Sequence, residues 1–170
     1  DCLNAAELAA RAAGVGVRML TVHGRTRAQF YTGQANRRAI RAVANLPGRP
    51  PLVANGDVVD AASARAALGQ SGADAVMVGR GAQGAPWRLA QIAHALWDTP
   101  APQLPQGAAL AEAVAEHYDD ILSFYGHELG LRVARKHLGW YAEANGAPNR
   151  AELLRAATPE ATLEAIRAGF

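Results

Sequence analysis

Two short apolar stretches, each followed by a glycine-containing turn, constrain the fold of this chain most strongly. Residues 51–54 are strand-forming and stop at the Asn-Gly-Asp turn 55–57, and residues 73–78 stop at the Gly-Arg-Gly turn 79–81. Between them, the alanine-rich segment 60–68 predicts a helix. Alternating strands and helices are typical of a parallel sheet, in which both turns lie at the same carboxyl edge.

The same alternation begins earlier in the chain. A first helix is predicted over 3–13 with Asn4 as its N-cap, and a strand over 17–22 leads into His23. A loop follows, and the next helix is predicted over 37–45. The first hundred residues therefore read as an α/β structure with three strands.

Start signals mark two of the helices. Asp60 and Ser63 open the alanine-rich helix as capping residues. Gly84 precedes Pro86 and Trp87, where a further helix is expected to begin because proline favours the first helical turn.

Three parallel strands cannot close a barrel, and an eight-stranded (β/α) barrel usually takes about 250 residues. The chain also begins in a helix with no preceding strand to pack on. We therefore expect the last part of a barrel whose front is absent. A small open α/β sheet is the alternative.

The pattern changes after residue 98. Residues 99–107 are polar and rich in proline, which predicts a linker. No strand pattern follows, and the helical spacing of apolar residues predicts four helices, over 108–125, 129–144, 151–157 and 159–168. We predict an α/β domain over 1–98 and a small all-helical domain over 108–170.

Composition and charge narrow the class of protein. The 170 residues are half hydrophobic, contain no apolar run long enough to cross a membrane, and include one cysteine, Cys2, which excludes an internal disulfide. Residues 1–107 carry 11 basic and 6 acidic side chains, whereas residues 108–170 carry 6 and 9. Nearly all the basic residues are arginine, which suits a polyanionic partner or simply a soluble surface. We expect a reducing, cytoplasmic location.

The glycine turns are typical of a phosphate site. Glycine lets a phosphate approach backbone N–H groups because no Cβ intervenes, and a following helix N-terminus adds partial positive charge. Arg80 can add a charge-assisted contact. We assign ligand binding to Asn55, Gly56, Asp57, Gly79 and Arg80. A structural loop is the alternative, and for Asp57 a role in capping the helix or holding the loop is favoured.

Among the histidines, only His23 is expected at this site. It follows a strand at the same sheet edge, where it can hydrogen-bond a cofactor or substrate, or simply satisfy a neighbouring carbonyl. His94 and His117 are interpreted as helix-surface residues, and Cys2 as structural. No group of His, Cys, Asp and Glu has the spacing of a metal site, and no nucleophile elbow or Walker loop is present.

A basic stripe is predicted on one helix of the second domain. Arg132, Arg135 and Lys136 fall at positions i, i+3 and i+4, and His137 lies beside them. Aromatic residues follow at 140–141, and basic groups next to aromatic rings suit contacts with RNA. A solvated helix face beside an aromatic core edge is the alternative.

Four segments together resemble the bacterial tRNA-dihydrouridine synthases, most closely the DusB type: LTVHGRTRAQFYTG, VANGDV, GADAVMVGRGAQGAPW and LRVARKHLGWY. The likeness runs from Leu3 to the last helices. It implies an FMN-binding TIM (β/α)8 barrel followed by a helical tRNA-binding domain. This chain would supply the last three barrel strands and the whole helical domain.

The resemblance also implies an activity. Enzymes of this family use NADPH and FMN to reduce the C5–C6 bond of particular tRNA uridines, and we expect a monomer. By resemblance, His23 lies near the flavin, residues 55–57 form the first phosphate loop, and Gly79 and Arg80 form the second. By resemblance, Arg135, Lys136 and His137 match the basic tRNA-binding segment of the family's helical domain. We add Arg132, which lies on the same predicted stripe, to the expected RNA-binding residues.

The chain departs from the family in one respect. The family's proton-donating cysteine, its flavin-contacting lysine and its first flavin-binding loop would all precede residue 1, so no catalytic residue is expected here. Two other functions stay open: an inactive fragment that only binds RNA, and a different phosphate-binding barrel enzyme acting on a small molecule. The basic helical tail argues against the small-molecule enzyme.

Overall fold

A computed structural model describes residues 3–170, so Cys2 lies outside the described residues. The chain divides into two compact units, one formed by the residues up to Ala82 with Arg88–Ala101, the other by Gln83–Trp87 with Pro102–Phe170. The first unit contains, in order, α1 (Ala5–Gly14), β1 (Leu20–His23), a 3₁₀ helix (Arg37–Ile40), α2 (Arg41–Ala44), β2 (Leu52–Asn55), α3 (Ala61–Ser71), β3 (Ala75–Met77), a 3₁₀ helix (Arg80–Ala82) and α4 (Arg88–Trp97).

The three strands form a parallel sheet in the order β1-β2-β3. His23 pairs with Asn55, and Asn55 pairs with Met77, so all three strands end at one level. This register confirms the predicted parallel sheet and brings His23 and both glycine turns to one edge. A three-stranded parallel sheet is consistent with part of a barrel.

The sheet packs its apolar side chains between helices. Leu52, Val53 and Ala54 of the central strand are all buried, as expected for a strand covered on both faces. In β1, by contrast, Leu20 and Val22 are half-buried while the alternate residues are exposed. One apolar cluster joins β1 and β2 to α1 and α2, and another joins β3 to α3 and α4.

Several predicted elements differ in extent from those observed. The strand predicted over 73–78 spans only Ala75–Met77, and the helix predicted over 60–68 continues to Ser71. The strand predicted over 17–22 begins only at Leu20, whose N–H donates to the carbonyl of Pro51. Pro50 and Pro51 have no N–H, so the residues before Leu20 have no donor opposite them in β2. The helix predicted over 37–45 forms as a 3₁₀ turn followed by one short α-helical turn, Arg41–Ala44.

The helix starts show which capping signals operate. The Asp60 carboxylate accepts from the N–H of Ser63 at 2.7 Å, and the Ser63 hydroxyl accepts in return from the N–H of Asp60 at 3.0 Å. This reciprocal box confirms the predicted cap of α3. Asn4 occupies the N-cap position of α1, as predicted, but its side chain makes no capping hydrogen bond.

The second unit contains only helices among its described elements: α5 (Ala108–Tyr125), α6 (His127–Asn145), α7 (Arg150–Arg155) and α8 (Pro159–Gly169). Their core includes Val114, Tyr118, Leu138, Leu153 and Ile166. Residues 98–107 form neither helix nor strand. No helix within residues 3–170 has the length and apolarity needed to cross a membrane.

Candidate functional site

A cleft of about 470 Å³ opens where the three strands end. All six residues predicted from the strand ends and glycine turns line it: His23, Asn55, Gly56, Asp57, Gly79 and Arg80. The parallel register explains this grouping, because the carboxyl ends of neighbouring strands project their loops to the same side. Tyr31, Val58, Val59, Gly81 and Arg88 complete the lining.

The glycines of the cleft differ in what surrounds them. Gly56 has a φ of +132°, and a Cβ there would lie 2.6 Å from the Cβ of Ala35, so this position requires glycine. Gly81 also has no room, since a Cβ would overlap the carbonyl oxygen of Val58. A Cβ on Gly79 would meet no atom of the described residues within 4 Å. Space for a ligand to approach the backbone is therefore available at Gly79.

Asp57 lies at the centre of a network of ion pairs. Its carboxylate accepts from Arg25 Nη2 at 2.9 and 2.7 Å and from the N–H of Ala35 at 2.8 Å. Burial alone would raise the pKa of Asp57, but these bonds and the nearby charge of Arg80 outweigh it, and the pKa lies below its ordinary value. Asp57 is therefore ionised at neutral pH.

Arg80 is the most open cationic group of this network. Its Nη2 is 3.6 Å from Asp57 Oδ1, and its guanidinium lies 4.6 Å from the ring centre of Tyr31. Its side chain is 54% exposed, whereas that of Arg25 is only 3% exposed. Arg80 can therefore contact an anion in the cleft.

Other arginines near the cleft hold the backbone. Arg25 donates to the carbonyls of Thr32 and Gly33, and Arg37 donates to the carbonyls of Gly56 and Asp57. These guanidinium N–H groups donate to backbone carbonyls of the loops, so they are not free to bind a ligand.

His23 is exposed at the end of β1. Its Nε2 lies 3.4 Å from Arg25 Nη1, and a guanidinium can only donate. This contact favours the tautomer in which Nε2 accepts and Nδ1 carries the proton. His23 can therefore present an N–H donor to a ligand through Nδ1.

In the helical unit, three of the four residues predicted to bind RNA are exposed on α6. These are Arg132, Arg135 and Lys136. Arg132 lies 3.8 Å from Glu128, one turn earlier, and the ammonium of Lys136 lies 5.2 Å from the ring centre of Trp140. The predicted basic stripe is therefore present as an accessible surface.

His137, the fourth predicted residue, is half-buried. Its ring packs edge-on against the rings of His117 and Trp140, each at 5.1 Å between centres. Burial lowers the pKa of His137, and the nearby His117 and Lys136 lower it further.

His117 was expected on a helix surface, but it is half-buried and lies 3.1 Å from the Tyr141 hydroxyl, so that expectation is wrong.

Comparison with known proteins decides the family. The profile of the dihydrouridine synthase family, Dus, matches residues 1–168. The chain belongs to the dihydrouridine synthase family. This confirms the resemblance seen in the four sequence segments.

Members of the dihydrouridine synthase family from several bacteria align over most of the chain. A probable tRNA-dihydrouridine synthase of Rhodobacter capsulatus is 65% identical over all 170 residues, which cover 52% of that protein. A probable tRNA-dihydrouridine synthase of Rickettsia conorii is 48% identical over 88% of the chain and 44% of the relative. The tRNA-dihydrouridine synthase B of Xanthomonas axonopodis pv. citri is 41% identical, covering 100% and 52%. The chain thus spans about half the length of these curated relatives.

Sequence reasoning missed two residues that line the cleft. Tyr31 was placed only in a loop, yet its ring contacts Arg80. Arg88 was assigned no role, yet it lines the cleft and donates to the carbonyl of Gly81. A helix start directly after a glycine turn was the available signal for Arg88. For Tyr31 no local signal existed, because the fold of the 24–36 loop sets its position.

Within residues 3–170, no group of three or more His, Cys, Asp or Glu side chains could hold a metal ion.

Proposed function

We propose that this chain forms the FMN-phosphate-binding and tRNA-binding part of a tRNA-dihydrouridine synthase. The observation that carries the proposal is the cleft in which Gly79 and Arg80 meet the 55–57 turn, in a chain that belongs to the dihydrouridine synthase family. The three parallel strands would form part of a (β/α)8 barrel. NADPH is the proposed reductant, and tRNA uridine the substrate.

The residues of the cleft fit a phosphate. A phosphate carries negative charge and needs donors that approach without a Cβ in the way. Gly79 offers open space, and Arg80 offers exposed guanidinium donors beside it. FMN, when bound, would supply the hydride for the C5–C6 bond of uridine.

Each cleft residue has a defined task in this proposal. Arg80 binds the phosphate by charge-assisted hydrogen bonds, and Gly79 allows the backbone close to it, while Gly56 lets the 55–57 turn pack against Ala35. Asn55 presents its amide at the strand end, and His23 donates through Nδ1 to a polar atom of the flavin. No proton donor for the uridine carbon is proposed among residues 3–170, since Asp57 is ionised.

The tRNA would bind through the basic stripe of α6. Arg132, Arg135 and Lys136 carry three positive charges on an exposed helix face, which suits a phosphate backbone. Trp140 beside Lys136 adds an aromatic ring of the kind that contacts nucleotides. His137 is half-buried, so its proposed contribution is limited to the exposed edge of its ring.

A titration with two flavins tests the proposal. FMN and riboflavin share the isoalloxazine ring and differ by the phosphate, so the ratio of their affinities isolates the phosphate contact. We expect FMN to bind at least about tenfold more tightly than riboflavin, which corresponds to one charge-assisted contact. Equal affinities would contradict the proposal. Retention of tRNA binding without any flavin binding would instead favour a chain that only binds RNA.

A further inference from the structure

We propose that the carboxylate of Asp57 has a positioning role: it holds Arg80 over the cleft for a phosphate and does not itself contact the ligand. The inference rests on the proposed function, since the phosphate in question is that of FMN. The resemblance implies a ligand contact for Asp57, and its residues alone favoured a role in holding the loop; this inference gives the carboxylate a specific task within that second role.

Both oxygens of the Asp57 carboxylate already accept hydrogen bonds from within the protein. Arg25 Nη2 donates to both carboxylate oxygens, at 2.9 and 2.7 Å, and the N–H of Ala35 donates to Oδ2 at 2.8 Å. These three bonds fix the carboxylate plane. A flavin phosphate, itself anionic, gains nothing by replacing them.

Arg25 makes this arrangement rigid. Its side chain is 3% exposed, and it also donates to the carbonyls of Thr32 at 3.2 Å and Gly33 at 2.7 Å. Asp57 and Arg25 thereby connect the 24–36 loop, which follows β1, to the turn that follows β2. Asp57 itself has a φ of +53°, a strained conformation for a residue other than glycine, which orients the side chain in this network.

Arg80 is held from two sides. Asp57 Oδ1 lies 3.6 Å from its Nη2, and the ring of Tyr31 lies 4.6 Å from its guanidinium carbon. The distance to Asp57 is too long for a good hydrogen bond, so the carboxylate attracts Arg80 by charge and leaves its N–H donors free. The guanidinium is therefore oriented before a phosphate arrives, and less side-chain freedom is lost on binding.

The charges of the network explain why a carboxylate is tolerated beside an anion site. An isolated carboxylate would repel a phosphate, but the ion pair with the nearly buried Arg25 offsets its charge. Among Asp57, Arg25 and Arg80, the positive charge that remains is that of Arg80, whose side chain is 54% exposed and lines the cleft.

Asp74 provides a matched control. It is also an aspartate bound by an arginine and a backbone N–H, from Arg49 Nη1 at 2.6 Å and from Leu52 at 2.7 Å. Asp74 precedes β3, however, at the opposite edge of the sheet from the cleft. A change that only weakens the fold should therefore act alike at Asp57 and Asp74.

The experiment compares Asp57→Asn and Asp74→Asn in the full chain by titration with FMN and with riboflavin. We expect Asp57→Asn to lower the ratio of FMN to riboflavin affinity by at least about threefold, and Asp74→Asn to leave the ratio unchanged. An unchanged ratio in Asp57→Asn would overturn the proposal, because the carboxylate would then have no effect on phosphate binding. An increased ratio would also overturn it, because the carboxylate would then only repel the phosphate. If Asp57→Asn does not fold, the double variant Arg25→Gln/Asp57→Asn removes both charges of the pair and is expected to show the same loss.

A second measurement separates this proposal from the proposed function. The Nε–Hε signal of Arg80 in ¹⁵N NMR reports the order of its side chain without any flavin. We expect this signal to show an ordered Arg80 side chain in the parent chain and in Asp74→Asn, and a mobile one in Asp57→Asn. Equal order in all three would refute the positioning role, even if FMN binds. A parent chain that does not prefer FMN would refute the proposed function, while loss of Arg80 order in Asp57→Asn would still support the positioning role.

Discussion

Gly79 and Gly81 lie two residues apart in one turn and meet different surroundings. A Cβ at Gly81 would overlap the carbonyl oxygen of Val58, whereas a Cβ at Gly79 would enter open space in the cleft. We predict that Gly81→Ala lowers the free energy of unfolding by about 1–3 kcal/mol through overpacking. Chemical denaturation followed by circular dichroism measures it.

The variant Gly79→Ala has the opposite profile. We predict a change in the free energy of unfolding within about 0.5 kcal/mol, because nothing is displaced. The affinity for FMN should fall by about tenfold or more, because the methyl group separates the phosphate from the backbone. If FMN binds Gly79→Ala as tightly as the parent chain, the phosphate does not approach Gly79.

Arg80 gives the third prediction at this scale. We expect Arg80→Ala to weaken FMN binding by about 10–150-fold, the value of a charge-assisted contact of about 1.5–3 kcal/mol. Riboflavin binding should change little, and it serves as the control in the same titration. Unchanged FMN affinity would remove Arg80 from the site.

The sequence predicted which residues line the cleft better than it predicted what each one does. Strand ends and glycine turns are local signals, and the parallel register carried them to one edge. Arg25 and Arg80 are chemically identical in the sequence, yet one is buried against Asp57 and the other is exposed. That difference depends on the fold of the 24–36 loop, which no local pattern encodes.

At the scale of elements, α6 carries two features that experiments can separate. The first is its basic stripe. We predict that Arg135→Ala/Lys136→Ala weakens tRNA binding and makes the slope of log affinity against log salt shallower by about 1–2 units, because two phosphate contacts are lost.

The control for this double variant is Arg155→Ala/Arg167→Ala, which removes the same charge from exposed positions on α7 and α8. Its salt slope should stay close to that of the parent chain. If both double variants change the salt slope equally, the stripe affects tRNA binding only through the net charge of the chain. The stripe would then be a solvated helix face that makes no specific contact with tRNA.

The second feature of α6 is the ring contact between His137 and His117. Burial lowers the pKa of His137 in the folded state, so the unfolded chain takes up its proton first as the pH falls. The stability from neutral His137 is therefore complete above its ordinary pKa and is lost as the pH falls from about 6.5 through the folded-state value. We predict that urea unfolding from pH 8 to pH 5 shows this loss and that His137→Gln reduces it. His94→Gln, in the other unit, should retain the dependence of the parent chain.

Helices were easier to predict than strands in this chain. The bounds of α5 match the predicted 108–125, because apolar residues recur at helical spacing over five turns. The strands are only three or four residues long, and their ends depend on which partner residues can donate hydrogen bonds. β1 is shorter than predicted because Pro50 and Pro51, directly before β2, have no N–H to donate to it. The local sequence of β1 does not contain this information.

At the scale of the whole molecule, the described residues 3–170 place no protonated carboxyl group in the cleft. Asp57 is ionised, and no other carboxyl group lines the cleft among residues 3–170. General acid catalysis contributes about 10²–10⁴-fold to rate. We predict that the chain alone, given FMN, NADPH and unmodified tRNA, forms no dihydrouridine at an enzymatic rate, while filter binding detects the tRNA complex. Turnover at such a rate would require a proton donor within these residues.

We propose above all that the cleft at the carboxyl edge of the sheet holds the phosphate of FMN. A crystal structure of the chain grown with FMN would locate that phosphate. We expect the phosphate within hydrogen-bonding distance of the Arg80 guanidinium and beside Gly79, with Asp57 still bound to Arg25. A phosphate bound elsewhere, with Arg80 unchanged and the space at Gly79 empty, would refute this assignment.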